Sequence, residues 1–155
     1  MVDLSLQGIT KEFSRDGYFV RALQSVSLHV PHGRMVSIVG ASGSGKTTLL
    51  RIVAGLEKAD AGSVSFSRGE SHAVVVPRFG YMFQDARLLP WLTVEKNIAL
   101  ALGPENERSA VDAAVTDALG MVGLEDWKQA YPQELSGGMA QRVAFARALC
   151  QKPHI

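Results

Sequence analysis

Gly40-Ala41-Ser42-Gly43-Ser44-Gly45-Lys46-Thr47-Thr48 is the stretch that decides the fold. It follows the apolar run Met35-Val36-Ser37-Ile38-Val39 and leads into Leu49-Leu50-Arg51-Ile52-Val53. Taken in order, these residues predict a buried strand, a glycine-rich turn and the start of a helix. The spacing G-x-x-x-x-G-K-[ST] in a strand-to-helix setting is that of a phosphate-binding loop. With each fixed residue at roughly 6–10% usage, a random chain of this length matches about 1% of the time. Chance is therefore a poor rival.

The residue types suit the chemistry. Gly40, Gly43 and Gly45 open backbone conformations denied to residues with a side chain. Successive N–H groups then turn inward as a nest for an anion, with Ser42 and Ser44 among them. A helix starting near Lys46 adds its partial positive charge and unpaired N–H groups. Lys46 is expected to reach the β- and γ-phosphates of a nucleoside triphosphate, and Thr47 to offer its hydroxyl to Mg²⁺. Thr48 adds a further phosphate contact.

Upstream, Val2, Leu4 and Leu6 alternate with polar residues, as do Val26, Leu28 and Val30, with a turn at Ser14-Arg15-Asp16-Gly17 between them. These predict two strands of a small antiparallel sheet. Downstream, Leu49, Leu50, Ile52, Val53 and Leu56 line a helix that Gly55 helps to end. Ser63-Val64-Ser65-Phe66-Ser67 predicts another antiparallel strand, and Arg68-Gly69-Glu70-Ser71-His72 a polar turn. Val74-Val75-Val76 is a short strand end before Pro77. Gly80-Tyr81-Met82-Phe83 reads as a core strand with Gln84 at its exit. From Asp85 the chain is irregular and unusually apolar for a loop, centred on Leu88-Leu89-Pro90-Trp91-Leu92. Thr93 is expected to cap a helix carrying Val94, Ile98, Ala101 and Leu102, and Gly103-Pro104 to stop it. Val111, Val115, Ala118, Leu119 and Val122 predict a second helix, stopped by Gly123.

The length suits one domain, and 46% hydrophobic with 20% charged residues is a globular composition. A net charge of +1 without a basic run argues against a nucleic-acid track. Cys150 is the only cysteine, which excludes an internal disulfide and reads as a small buried apolar residue. No apolar run is long enough to span a bilayer, and the N-terminus has no signal-peptide pattern. A membrane role would have to come through a partner.

The second motif is Leu135-Ser136-Gly137-Gly138-Met139-Ala140-Gln141-Arg142, with Ser136 as a helix N-cap and a glycine pair that lets an anion approach. Together with the upstream loop it resembles the LSGGQ-type signature of ATP-binding cassette ATPases, over the whole chain and in motif order. The resemblance implies an α/β fold with a P-loop NTPase (RecA-like) core, an N-terminal antiparallel β subdomain, an inserted helical subdomain and an incomplete core sheet. Its parts would be about 1–34 and 60–76 for the β subdomain and about 35–58 and 78–84 for the core. The helical subdomain would cover about 85–134, and the signature helix 135–155.

The resemblance also assigns roles. Gln84 matches the family's Q-loop glutamine, which contacts Mg²⁺ and the attacking water. Phe13 matches the aromatic that stacks on adenine, with Tyr18 and Phe19 as alternatives. Leu135, Ser136, Gly137, Gly138 and Met139 would act on ATP held by the second ATPase subunit of a homodimer. Phe83-Gln84-Asp85, Leu88-Leu89-Pro90-Trp91 and Met139-Ala140-Gln141-Arg142 look like the nitrate/sulfonate/taurine importer ATPases. There the 85–92 loop would meet a membrane permease, with a separate substrate-binding protein acting indirectly. Alternatively, Leu88, Leu89 and Trp91 pack on the helical subdomain.

In that family a buried strand ending in Asp-Glu follows the signature helix. Here Pro153-His154-Ile155 resembles the start of it, and the Asp-Glu pair and later switch histidine do not appear. His29, His32, His72 and His154 therefore read as structural or surface residues. The expectation is a C-terminally truncated cassette at the cytoplasmic face of the membrane, marginally stable and without steady ATP turnover by itself. The open alternatives are a hydrolysis-deficient nucleotide-binding fragment and a non-transport cassette protein.

Overall fold

Alternating apolar residues in the N-terminal half build one antiparallel sheet. The computed structural model describes residues 2–15, 17–68, 73–104 and 106–155. The chain forms two compact units, Met1–Pro77 and Arg78–Ile155. In the first, β1 (Asp3–Arg15), β2 (Tyr18–Val30), β3 (Ala61–Arg68) and β4 (Ala73–Val74) lie in the order β2-β1-β3-β4. The first two strands run much further than the expected segments, forming one long hairpin. A register shift between Leu6 and Ile9 explains why alternation hid this. Gly8 there has φ +60° and Ser25 φ +48°. Ser27 Oγ accepts from Gly8 N at 2.9 Å, and Thr10 Oγ1 from Ser25 N at 3.0 Å. The bulge changes the parity of the strand, so Leu6 and Ile9 are both buried although three residues apart.

Leu6, Ile9 and Leu23 form a core with Leu49 and Ile52 of α1 (Lys46–Val53). Leu50 and Leu56, expected on that inner face, are exposed. The helix ends as the sequence predicts: Gly55 N donates to Ile52 O at 3.0 Å and Leu56 N to Arg51 O at 2.8 Å, the paired bonds of a Schellman motif. Of the polar turn at 68–72, residues 69–72 lie outside the described residues, and with them His72.

One strand expectation is overturned. Residues 35–39 carry no ladder hydrogen bonds and are exposed, with Met35 at 94% and Val39 at 91%. An extended run becomes a strand only by exchanging N–H···O bonds with a neighbour, and this run is not part of the four-stranded sheet of its unit.

The second unit is helical: α2 (Val94–Ala99) continuing as a 3₁₀ turn (Leu100–Leu102), α3 (Arg108–Val122), and α4 (Gly137–Cys150). Its core joins Val94, Ile98, Val115, Ala118, Leu119, Leu124, Val143, Ala146 and Cys150. The signature helix α4 thus shares one core with the helices before it, and burial pushes the Cys150 thiol up. Gly123 caps α3 with φ 64°. The expected core strand at 80–83 is also corrected, to an extended segment with a single parallel pairing. Gly80 N donates to Ile155 O at 2.8 Å and Ile155 N to Arg78 O at 3.3 Å. That is the bonding of a parallel ladder, too short to count as a strand. His154 serves the same contact, its Nδ1 accepting from Arg78 N at 3.0 Å. His29 pairs with Ser5 Oγ at 2.8 Å; both histidines are structural, as expected.

Candidate functional site

In the first unit a cleft of about 280 Å³ gathers most of the phosphate-loop residues the sequence selected, though not Gly40 or Ser42. Gly43, Ser44, Gly45, Lys46, Thr47 and Thr48 form one wall, and Phe13, Val20 and Ala22 of the hairpin form the other. Phe13 and Val20 are paired across β1 and β2. Tyr18 and Phe19, the alternative rings, do not line the cleft.

The wall on the loop side is a helix start with free donors. Gly45 is the N-cap residue of α1, with no side-chain cap, and the first helical bond runs from Leu49 N to Gly45 O at 2.9 Å. The N–H groups of Lys46, Thr47 and Thr48 precede it, so they are the unpaired donors that a helix end offers an anion. Gly43 and Gly45 hold φ of 78° and 87°, as expected, whereas Gly40 keeps an ordinary φ. A Cβ at Gly40 would meet Ser44 Oγ at 2.9 Å, so that hydroxyl would have to turn away. Lys46 folds back on the loop, donating to Gly40 O at 2.9 Å, Ala41 O at 2.6 Å and Ser44 Oγ at 3.2 Å. Its ammonium is therefore already positioned over the nest, with loop acceptors that phosphate oxygens can replace. Ser42 is exposed on the loop.

The remaining candidates lie in the second unit. Ser136 is the N-cap of α4, its Oγ accepting from Met139 N at 3.3 Å. Leu135 and Met139 pack against the helical core, while Ser136, Gly137 and Gly138 are exposed. A Cβ on either glycine would meet nothing within 4 Å, so the helix end presents bare backbone to a ligand or partner. The Gln84 side chain is exposed and its carbonyl accepts from Gln141 Nε2 at 2.7 Å. Arg147 continues this clamp, donating to Ala86 O at 2.8 Å and Arg87 O at 3.0 Å. Burial lowers the affinity of that guanidinium for its proton. The signature helix thereby holds the backbone of the loop at Gln84.

The apolar loop divides. Leu88 packs on the helical core, and Trp91 is 69% exposed. Asn97, fully buried on α2, fixes the loop's shape: its Oδ1 accepts from Leu89 N at 2.7 Å. Its Nδ2 donates to Leu89 O, Leu92 O and Thr93 O at 3.0–3.1 Å. Thr93 is the N-cap residue of α2 but makes no cap bond with its side chain, a correction; its buried Oγ1 has no partner among the described residues. The sequence reading missed Asn97, Gln141 and Arg147. For Asn97 a signal existed, a polar residue beside Val94 and Ile98 on the buried face. Asn97→Asp keeps the shape and the bond from Leu89 N but turns a carboxylate onto three carbonyl oxygens. It is expected to destabilise the protein by about 2–4 kcal/mol, read from urea melts; a change within 0.5 kcal/mol would contradict this account of the loop.

Comparisons with known proteins bear on the family and the fold. The sequence model of a family described as ABC transporter matches residues 23–155. The chain is 39% identical over 152 residues to the aliphatic sulfonates import ATP-binding protein SsuB of Bacillus cereus, covering 98% of this chain and 59% of the relative. It is 42% identical over 161 residues to the sulfate/thiosulfate import ATP-binding protein CysA of Bordetella pertussis, covering 99% and 44%. These 155 residues thus span about half the length of the curated relatives they match. Among solved structures, a dimeric post-hydrolysis state of the ATP-binding cassette MJ0796 bound to ADP and Pi is similar, with a TM-score of 0.84 and 30% identity. That match covers 97% of this chain and 70% of the other. The fold is that of a cassette ATPase, antiparallel sheet and helices included.

Proposed function

The chain belongs to the ABC transporter family, and from that membership we propose that it serves as the ATP-binding subunit of an importer for a small oxyanion. The carrying observation is the cleft that sets Phe13 opposite the unpaired N–H groups at the start of α1. A flat ring at one end and a donor nest with an ammonium at the other match a nucleobase and a triphosphate. Lys46 holds the β- and γ-phosphates, Thr48 and the loop N–H groups add contacts, and Phe13 stacks on adenine. Thr47, which lines the cleft, would hold Mg²⁺, which when bound neutralises charge on the β- and γ-phosphates; Gln84 enters as a second ligand from the family resemblance alone.

The site is composite. Ser136 and Gly138, exposed on bare backbone at a helix N-terminus, act on the triphosphate of a second copy. The dimeric state of the structural relative supports this arrangement. The 85–92 loop, with Trp91 exposed, docks a membrane permease, and a separate binding protein delivers the solute. In the proposed complex the subunit sits peripherally, at the cytoplasmic face; no helix among the described residues is long and apolar enough to cross a membrane. Sulfonate, taurine and nitrate are the proposed solutes; the names of the relatives favour sulfur oxyanions.

The test separates binding from turnover. A polypeptide of these 155 residues is expected to bind Mg·ATP but to release phosphate only at background, because it contains no Asp-Glu pair in the family position. Calorimetric ATP binding beside a steady-state phosphate assay checks both. Absence of ATP binding by folded protein would refute the nucleotide reading, and steady turnover would refute the assignment of the base.

A further inference from the structure

Behind the cleft, and not lining it, lies a charged cluster the proposed mechanism does not use. Lys11, only 9% exposed, follows the inward Ile9 on β1 and precedes Phe13 on the same face. Its Nζ donates to Glu57 Oε1 at 2.9 Å and to Asp60 Oδ1 at 3.1 Å. The same ammonium stands 5.3 Å from the centroid of the Phe13 ring, within the range of a cation–π contact. Both carboxylates are anchored to other parts of the unit. Asp60 Oδ2 accepts from Glu12 N at 2.7 Å, and Asp60 N donates to Thr10 O at 2.9 Å. Glu57 N donates to Arg51 O at 3.3 Å, at the C-terminal end of the helix whose first turn is the phosphate loop.

The Asp60 carboxyl is held below its usual range, first by the Glu12 N–H and then by Lys11. The Lys11 ammonium is raised by Glu57 and then Asp60. Both groups stay charged at neutral pH, so the brace is permanent.

We infer that Lys11, braced by Glu57 and Asp60, is a positioning residue that holds the Phe13 ring at the base end of the nucleotide cleft. Phe13 is nearly half exposed and has one partner row, Val20, across the hairpin. Lys11 adds an attraction to one ring face and leaves the other face turned for stacking. Through Glu57 and Asp60 it also ties that ring to the far end of α1. The inference rests on the reading of Phe13 as the base-stacking ring.

The test exploits a ligand without a base. On the full polypeptide as its host makes it, affinities for Mg·ATP and for inorganic tripolyphosphate are measured for wild type, Phe13→Ala, Lys11→Met and the double variant. Phe13→Ala is expected to weaken ATP about tenfold and Lys11→Met about two- to fivefold, with tripolyphosphate unchanged. The double variant is expected to be no weaker than Phe13→Ala alone, since Lys11 acts through the ring. Glu57→Gln, a shape-preserving change at a partly exposed position, is expected to reproduce a milder, equally selective loss, which guards against a Lys11→Met variant that folds poorly. Unchanged ATP affinity in both Lys11→Met and Glu57→Gln, or losses that add fully to that of Phe13→Ala, would overturn the inference. So would Glu57→Gln weakening both ligands alike. If Phe13→Ala itself leaves ATP binding intact, the stacking reading falls first, and the two failures are told apart.

Discussion

Gly45→Ala is expected to cost this protein its nucleotide site. Gly45 holds φ 87° and ψ 1° as the N-cap of α1, where an L side chain is strained by about 1–3 kcal/mol. Space makes it worse: a Cβ there would overlap the Ala22 carbonyl oxygen and stand 3.0 Å from Leu23 Cδ2. Neither neighbour can yield cheaply, because Ala22 is β2 backbone and Leu23 belongs to the core under the sheet. Relief would come only by pulling the loop away from the hairpin, which separates the phosphate nest from Phe13. Together these terms are expected to reach about 3 kcal/mol, equivalent to about a hundredfold in ATP affinity if carried wholly by the loop. Gly43→Ala is the matched control. Its φ of 78° carries the strain, but nothing lies within 4 Å of the added carbon, so about 1–2 kcal/mol is expected. Calorimetric ATP titrations and urea melts of the pair read this order; equal effects would mean the close approach to Ala22 does not matter.

Lys46→Ala is expected to do comparable damage to function while sparing the fold. Its ammonium makes its three bonds to Gly40 O, Ala41 O and Ser44 Oγ, all within the loop. None reaches the buried core, so a stability change below about 1 kcal/mol is expected. Toward ATP the loss is larger. Charge-assisted bonds to phosphate oxygens contribute roughly 1.5–3 kcal/mol each, so losing one or two weakens binding or turnover by about a hundredfold. Lys46→Arg is not expected to rescue, because a planar fork does not fit where a compact ammonium sits over the carbonyls. A Lys46→Ala protein that binds and hydrolyses ATP normally would contradict the role given to this residue.

The contrast between these two residues shows what was legible in the sequence. Motif spacing alone selected Gly45 and Lys46, because the chemistry of phosphate binding leaves few residue types for those positions. Ser136 was legible for the same reason, as a cap at the start of a helix. The inner face of α3 was legible from period, down to Val115, Ala118 and Leu119 in the core, whereas Leu50 and Leu56 by α1 are exposed. The strands at 35–39 and 80–83 were not, since an apolar run says that a segment wants a ladder but not whether one is present. The hairpin was half legible: Gly8 and Ser25 break the alternation, and the pattern reading stopped where the bulge begins. Lys11 and Arg147 stayed hidden because their partners are carboxylates and carbonyls far away in sequence, and Asn97 because its partners are backbone groups of an irregular loop whose path the pattern does not give. A lysine in a strand or an asparagine in a helix looks like surface until the residues that satisfy it are placed around it.

The loop at Gly40–Thr48 is proposed as half of a site that a second copy completes through Ser136. Complementation tests it most directly. Lys46→Ala removes the phosphate loop's charge and Ser136→Arg blocks the signature, and in the full polypeptide with the proposed permease each alone is expected to hydrolyse ATP at background. Co-expressed in equal amounts, about half the dimers are mixed, and each mixed dimer keeps one intact loop facing one intact signature. The account predicts that about a quarter of wild-type turnover returns on mixing. Mixed protein that stays at background, or a Ser136→Arg protein that is active by itself, would contradict it.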